Sequence, residues 1–247
     1  MSPRSEILLP LYIYPTSGAW NPLHQVILAY PAVRFTVVIN PASGPGDGPL
    51  PDYNYTREIA TLNTFDNVRT IGYVATTYGK KSLEAVMQEI DRYANWALLD
   101  PALELSGIFL DETPTLYTDA NGAYLPMIQT NIKNTVGLGS GLVVHNPGTI
   151  PDVRFAAAAD VTVLFEQTYD VYVARSANDT VAPATLLFDR ERIGAIVHTC
   201  PDDLGPQEMK QFVEEVEVKF GWLYLTDLGE NYYHNFSTRF LEFVQYV

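Results

Sequence analysis

Short apolar runs alternate along this chain with longer stretches in which apolar positions recur every three or four residues. The short runs, rich in Ile, Val, Leu and Tyr, cover 7–14, 34–40, 69–75, 107–111, 141–146, 160–166, 193–199 and 222–226. Their length and composition predict strands. The helical period is clearest over 82–96, where Leu83, Val86, Met87, Ile90, Tyr93 and Ala94 form a stripe behind Ser82 as N-cap. It returns over 207–220 with Met209, Phe212, Val213 and Val216. Further helices are predicted over 22–30, 57–64, 123–134, 183–191 and 234–245.

Strands alternating with helices make βαβ units and a parallel sheet. With one strand run opening the chain and an eighth preceding a final helix, the pattern predicts one closed (β/α)8 barrel, an α/β fold of the TIM-barrel type. An open doubly wound sheet is the alternative. No shift in composition marks a boundary, so residues 1–247 are read as a single domain. The Pro/Gly-rich stretch 40–55 follows the second strand and is read as a long βα loop.

Composition narrows the partners. Fifteen basic against 29 acidic residues leave a net charge of −14. That excludes a general nucleic-acid binder, which needs a basic face to displace phosphate counterions, and argues equally against an anionic membrane surface. With 47% hydrophobic and 18% charged residues the chain can bury a sizeable core. A single cysteine, Cys200, excludes an intramolecular disulfide framework and reads as inert packing. No run is long enough to span a bilayer. The opening residues run straight into the first strand without a signal-peptide pattern, so the chain is expected to be cytoplasmic or to have lost a leader. A monomer is the expected state.

A parallel barrel presents its chemistry at the carboxyl ends of its strands. In order these ends offer Tyr12 and Tyr14, Asn40, Thr76 to Tyr78, Asp111-Glu112, His145-Asn146, Glu166, His198 and Thr226-Asp227. Two stand out. Gly107-Ile-Phe-Leu-Asp-Glu112 ends an apolar strand in a carboxylate pair, and Asp160-Val-Thr-Val-Leu-Phe-Glu166 ends another in a lone glutamate. An acid at the lip of a core is costly unless it is hydrogen-bonded or used. Two acids from different strands facing one cleft suit glycoside hydrolysis. One of them protonates the leaving oxygen while the other attacks the anomeric carbon or activates water. Asp111 is assigned as nucleophile or water-orienting base, Glu166 as general acid/base and Glu112 as a supporting carboxylate, with the first two roles interchangeable on the sequence alone. Aromatic rings offer apolar faces to sugar C–H groups. Trp20, Tyr78, Tyr169 and Tyr172 are placed for that, and Tyr12, Tyr14, Trp20, Asn40, Tyr78, His145, Asn146, Tyr169 and His198 are the expected substrate-binding groups.

Other motifs fall away. Gly44-Pro-Gly-Asp-Gly48 opens no helix and lacks a following Lys-Ser/Thr, so it is no phosphate loop. His145, His198 and Asp111 could ligate a metal, but no His-x-His or His-Glu-x-x-His spacing supports one. No cofactor is expected.

Several ordered motifs resemble the spherulin-4-like, spherulation-specific family of fungi, slime moulds and some bacteria. They are Leu9-Pro-Leu-Tyr-Ile-Tyr-Pro15 with Trp20-Asn21-Pro22, the stretch from Val38-Ile-Asn-Pro-Ala-Ser-Gly-Pro to Gly48, and Gly72-Tyr-Val-Ala-Thr-Thr-Tyr-Gly79. Gly107-Ile-Phe-Leu-Asp-Glu112, Val144-His-Asn-Pro-Gly148 and Phe165-Glu166 continue the match. The resemblance implies a (β/α)8 glycoside hydrolase, endo-acting on α-1,4-linked N-acetylgalactosamine stretches of a galactosaminogalactan-like polysaccharide. It places Asp111, Glu112 and Glu166 at the acidic cleft, and it implies a secreted or cell-surface protein. Partly deacetylated polymer is cationic, and surplus negative charge would concentrate it. The competing expectation is a non-catalytic polysaccharide-binding or wall-associated barrel.

Overall fold

A computed structural model describes residues 5–177 and 188–247. Eight parallel strands close into a barrel in chain order: β1 (Glu6–Leu11), β2 (Phe35–Ile39), β3 (Val68–Ala75), β4 (Gly107–Asp111), β5 (Leu142–Asn146), β6 (Val161–Thr168), β7 (Ile193–His198) and β8 (Trp222–Leu225). Outside them run α1 (Asn21–Ala29), α2 (Tyr53–Leu62), α3 (Leu83–Leu99), α4 (Asp119–Asn134), α5 (Tyr169–Ala177), α6 (Pro206–Lys219) and the short α7 (Phe240–Val244). The closed barrel is the architecture the pattern predicted, and the open sheet is excluded.

Local chemistry sets the helix starts. Ser82 accepts a hydrogen bond from the Ala85 amide at the start of α3, and Asp52 accepts from Asn54 and Tyr55 at the start of α2. Two predicted helices differ from the structure. The stretch 234–245 is helical only over Phe240–Val244, because the preceding loop is committed to the barrel mouth. The helix expected over 183–191 falls largely outside the described residues, and Arg190–Arg192 form a single 3-10 turn. In the other direction, α5 was not anticipated.

Alternation along parallel strands decides which side chains enter the barrel. The amino end is plugged by a polar layer. Arg69 donates to Glu6 at 2.5 Å and to Thr36 at 3.1 Å, and its guanidinium lies 5.2 Å from the centre of the Trp222 ring. The Thr36 hydroxyl also donates to Glu6. Register then carries the inward phase across the sheet at the other end: Ala75 pairs with Asp111, and Asp111 with Asn146. On β6 the phase is reset. An irregularity between Val163 and Phe165 leaves one extra residue opposite β7, so Glu166 pairs with Ile196, which pairs with Tyr224 on the inner face. Strict alternation would have put Glu166 on the same face as Thr162, whose partner His145 points at the helices. The bulge turns the acid inward.

Candidate active site

The two strand-end acids meet at the carboxyl mouth of the barrel and share one amide. Asn146 Nδ2 donates to Asp111 Oδ1 at 2.9 Å and to Glu166 Oε2 at 2.6 Å. The two oxygens therefore lie no farther apart than about 5.5 Å, the sum of those two bonds. The outer oxygens are held by phenols: Tyr73 donates to Asp111 Oδ2 at 2.8 Å, and Tyr233 to Glu166 Oε1 at 2.5 Å. Tyr12 stands between the phenols, its ring edge-on to Tyr73 at 5.5 Å and to Tyr233 at 5.2 Å. Tyr12, Tyr73, Asp111, Asn146, Glu166 and Tyr233 thus form a closed circle of side chains.

Burial raises the carboxyls of both acids above their ordinary values. For Asp111 the opposing pull comes from Tyr73, the Glu112 amide and Asn146. For Glu166 it comes from Tyr233 and Asn146, while the Asp111 charge pushes further up. Among the described residues no cation bonds to either acid. The phenols respond in kind: burial and then Asp111 raise Tyr73, and burial and then Glu166 raise Tyr233. They remain proton donors.

Glu112 sits beside this circle on a left-handed backbone, φ 51°, rare for a residue with a side chain. Its amide donates to Asp111 Oδ1 at 2.9 Å, and its carbonyl accepts from the Tyr78 amide at 2.6 Å and the Thr76 hydroxyl at 2.8 Å. Thr77 and Tyr78 are left-handed too. Strain in two adjacent βα loops, bolted together by these bonds, is typical of functional sites.

The expected substrate-binding groups separate into two sets. Tyr12 and Asn146 belong to the circle. His198, ending β7, stacks parallel on Tyr232 with ring centres 4.2 Å apart, and Tyr232 packs edge-on to Tyr233. The charges of Glu166 and Asp111 both act on the Tyr232 phenol, so this pair borders the acids. Tyr78 is 55% exposed on the rim. Tyr14 is 47% exposed there, its hydroxyl donating to Asp52 at 2.8 Å and accepting from Asn54 at 3.0 Å.

Of the remaining four expectations, Trp20 and His145 are corrected, while Tyr169 and Asn40 are half-buried and each has a partner within the protein. Trp20 is 1% exposed, with its indole N–H on the Ile13 carbonyl and its ring edge-on to Tyr55, so it packs the core and offers no face to a sugar. His145 follows alternation to the opposite face from Asn146 and is 2% exposed, and burial lowers its imidazole to about 4. It therefore cannot join Asp111 in a metal site or touch substrate. Tyr169 opens α5 and packs edge-on against Phe212 of α6. Asn40 holds its own loop, accepting the Gly44 amide on Oδ1 at 2.9 Å. Sequence reasoning missed Tyr73, Tyr232 and Tyr233. Tyr73 was accessible through register, two residues before Ala75, which pairs with Asp111. For the two loop tyrosines no such signal exists.

A single (β/α)8 barrel with two buried acids and an aromatic border at its mouth is the design of a protein that handles carbohydrate. The match to Spherulation-specific family 4 runs over residues 6–247, and the chain belongs to that family. Spherulin-4 of Physarum polycephalum is 36% identical over 163 residues, covering 65% of this chain and 44% of that protein, so the matched stretch spans less than half of the relative. The crystal structure of Aspergillus clavatus Sph3 in complex with GalNAc superposes with a TM-score of 0.96 at 42% identity, over 99% of this chain and 98% of that one. A chitinase from Bacteroides thetaiotaomicron shares the fold alone, with a TM-score of 0.57 at 11% identity over 98% of this chain and 95% of that one. The likeness to Sph3 supports a glycoside hydrolase or carbohydrate-binding role.

Proposed function

We propose that this protein is a glycoside hydrolase that cuts within an α-1,4-linked N-acetylgalactosamine or galactosamine polysaccharide. The observation that carries this reading is the pair of buried acids on one shared amide. The likeness to Sph3, whose crystal structure holds GalNAc, supports the sugar class. Glu166, its carboxyl raised by burial, is suited to deliver a proton to the glycosidic oxygen as the C–O bond breaks. Asp111, held by three donors, is suited to attack the anomeric carbon and form a glycosyl ester. Glu166 would then take a proton from water as that water attacks the same carbon and releases Asp111. An oxygen–oxygen separation of at most about 5.5 Å favours this double displacement, with retention, over the wider gap of inverting enzymes. Glu112 supports the pair through its backbone and presents a carboxylate to the mouth.

Incubation with galactosaminogalactan, followed by mass analysis, tests the proposal. Wild type should release oligosaccharides with the anomeric configuration retained. Glu166→Gln and Asp111→Asn should fold and each lose at least about 100-fold in turnover. Glycan binding without any product from wild type would instead favour the non-catalytic barrel. Unchanged turnover in both variants would overturn the assignment of the acids.

A further inference from the structure

The Asn146 side chain was expected to touch substrate, yet both of its N–H donors are already used within the protein. Both N–H groups of its amide point at carboxylates, one to Asp111 and one to Glu166. Its Oδ1 accepts the Gly148 amide at 3.1 Å, which fixes which end of the carboxamide faces the acids. The residue is 5% exposed on the last position of β5, one strand over from Asp111 and one from Glu166. A sugar oxygen could accept a hydrogen bond from this NH2 group only by displacing one of the acids from it.

We infer that Asn146 is a positioning residue that sets the spacing and orientation of Asp111 and Glu166, and that it makes no direct bond to the sugar. This rests on the glycosidase reading for its consequence but not for its geometry. One planar NH2 group, with two N–H vectors about 120° apart, fixes the angle between its two acceptors as well as their distance. No other described side chain bonds to both acids. Tyr73 and Tyr233 each hold one, and the remaining ionisable neighbours, Tyr12, Tyr232 and Glu112, hold neither through a side chain. Loss of the amide would let the carboxylates drift apart and would remove a donor that favours the ionised form of each. A misplacement of about 1 Å at a reacting group can cost 100-fold in rate.

The test compares wild type with Asn146→Ala and Asn146→Asp by two readouts. The first is carboxyl titration of Asp111 and Glu166 by 13C NMR, which needs no turnover. Both midpoints should rise in Asn146→Ala, and rise further in Asn146→Asp, where a third carboxylate faces the pair. The second is steady-state hydrolysis: kcat should fall about 100-fold while KM stays within about threefold, and the pH limbs should move with the midpoints. Unmoved midpoints would overturn the inference. So would a raised KM at constant kcat and constant pH profile, the mark of a lost sugar contact. If Asn146→Ala fails to fold, Asn146→Asp keeps the side-chain volume and supplies both readouts. If wild type hydrolyses nothing, the glycosidase reading falls while the titration still decides the role of Asn146.

Discussion

Among the described residues no cation bonds to the half-buried acids Asp111 and Glu166, and this has a consequence for stability. Burial raises both carboxyls in the folded state, so folding prefers them protonated. Their contribution to stability is complete below the ordinary carboxyl range and is lost as pH rises through the raised values. Wherever either acid ionises, the fold carries a costly charge. Asp111→Asn and Glu166→Gln, which abolish the charge but keep an acceptor for the Asn146 amide while the Tyr73 or Tyr233 hydroxyl can turn to accept, should each raise Tm at pH 7 by about 2–4 °C, the shift that ~1 kcal/mol makes in a domain of this size. The gain should vanish near about pH 3, where the native acids are protonated too. A lower Tm at pH 7 in both variants would contradict this. The acids themselves were legible in the sequence, because an unpaired carboxylate ending an apolar run is conspicuous. Their partners were not. Neighbours His145 and Asn146 look alike as strand-end polar groups, and only alternation against Asp111 sends one inward and the other under the helices.

At the scale of elements, the eight strands and the barrel they form could be read from hydrophobic pattern alone, since the period changes at each boundary. The β6 phase could not. In Val161-Thr-Val-Leu-Phe-Glu166 the apolar run continues through both faces, so nothing in the sequence marks the extra residue that brings Glu166 inward. Helix α5 was hidden for a related reason: Tyr169 and Tyr172 follow the acid and read as cleft aromatics, whereas Tyr172 is buried between Phe165 and Phe212. Close packing of β3 on α3 depends on Gly72. A Cβ there would stand 2.7 Å from the Tyr93 ring, whose hydroxyl accepts the Tyr73 amide at 3.2 Å and donates to the Ile39 carbonyl at 3.1 Å. Gly72→Ala should therefore destabilise the fold by about 1–3 kcal/mol in urea titration, and it should lower activity as well, because Tyr73 is the residue that moves with Tyr93. Stability equal to wild type would show that the ring can yield freely.

For the whole molecule, a charge of −14 surrounds a mouth where, among the described residues, no cation bonds to the acids. If the polymer is partly deacetylated, association should be steered by this field and weaken with salt. Its on-rate should fall about tenfold between roughly 20 mM and 500 mM salt, measured by stopped flow, while a fully acetylated polymer should show no such change. Equal salt dependence for both polymers would assign the charge to solubility. The polar plug of Glu6, Thr36, Arg69 and Trp222 closes the far end of the barrel, so a chain must lie across the mouth and cannot thread through. The circle of side chains at that mouth also spans nearly the whole sequence, from Tyr12 to Tyr233, and the Tyr12 amide bonds the Tyr233 carbonyl at 2.9 Å. On the ribosome, Glu166 therefore emerges long before the phenol that will hold it. A nascent chain that has not yet reached Tyr233 has both acids and no finished centre, so the circle closes only after every strand of the barrel has been made.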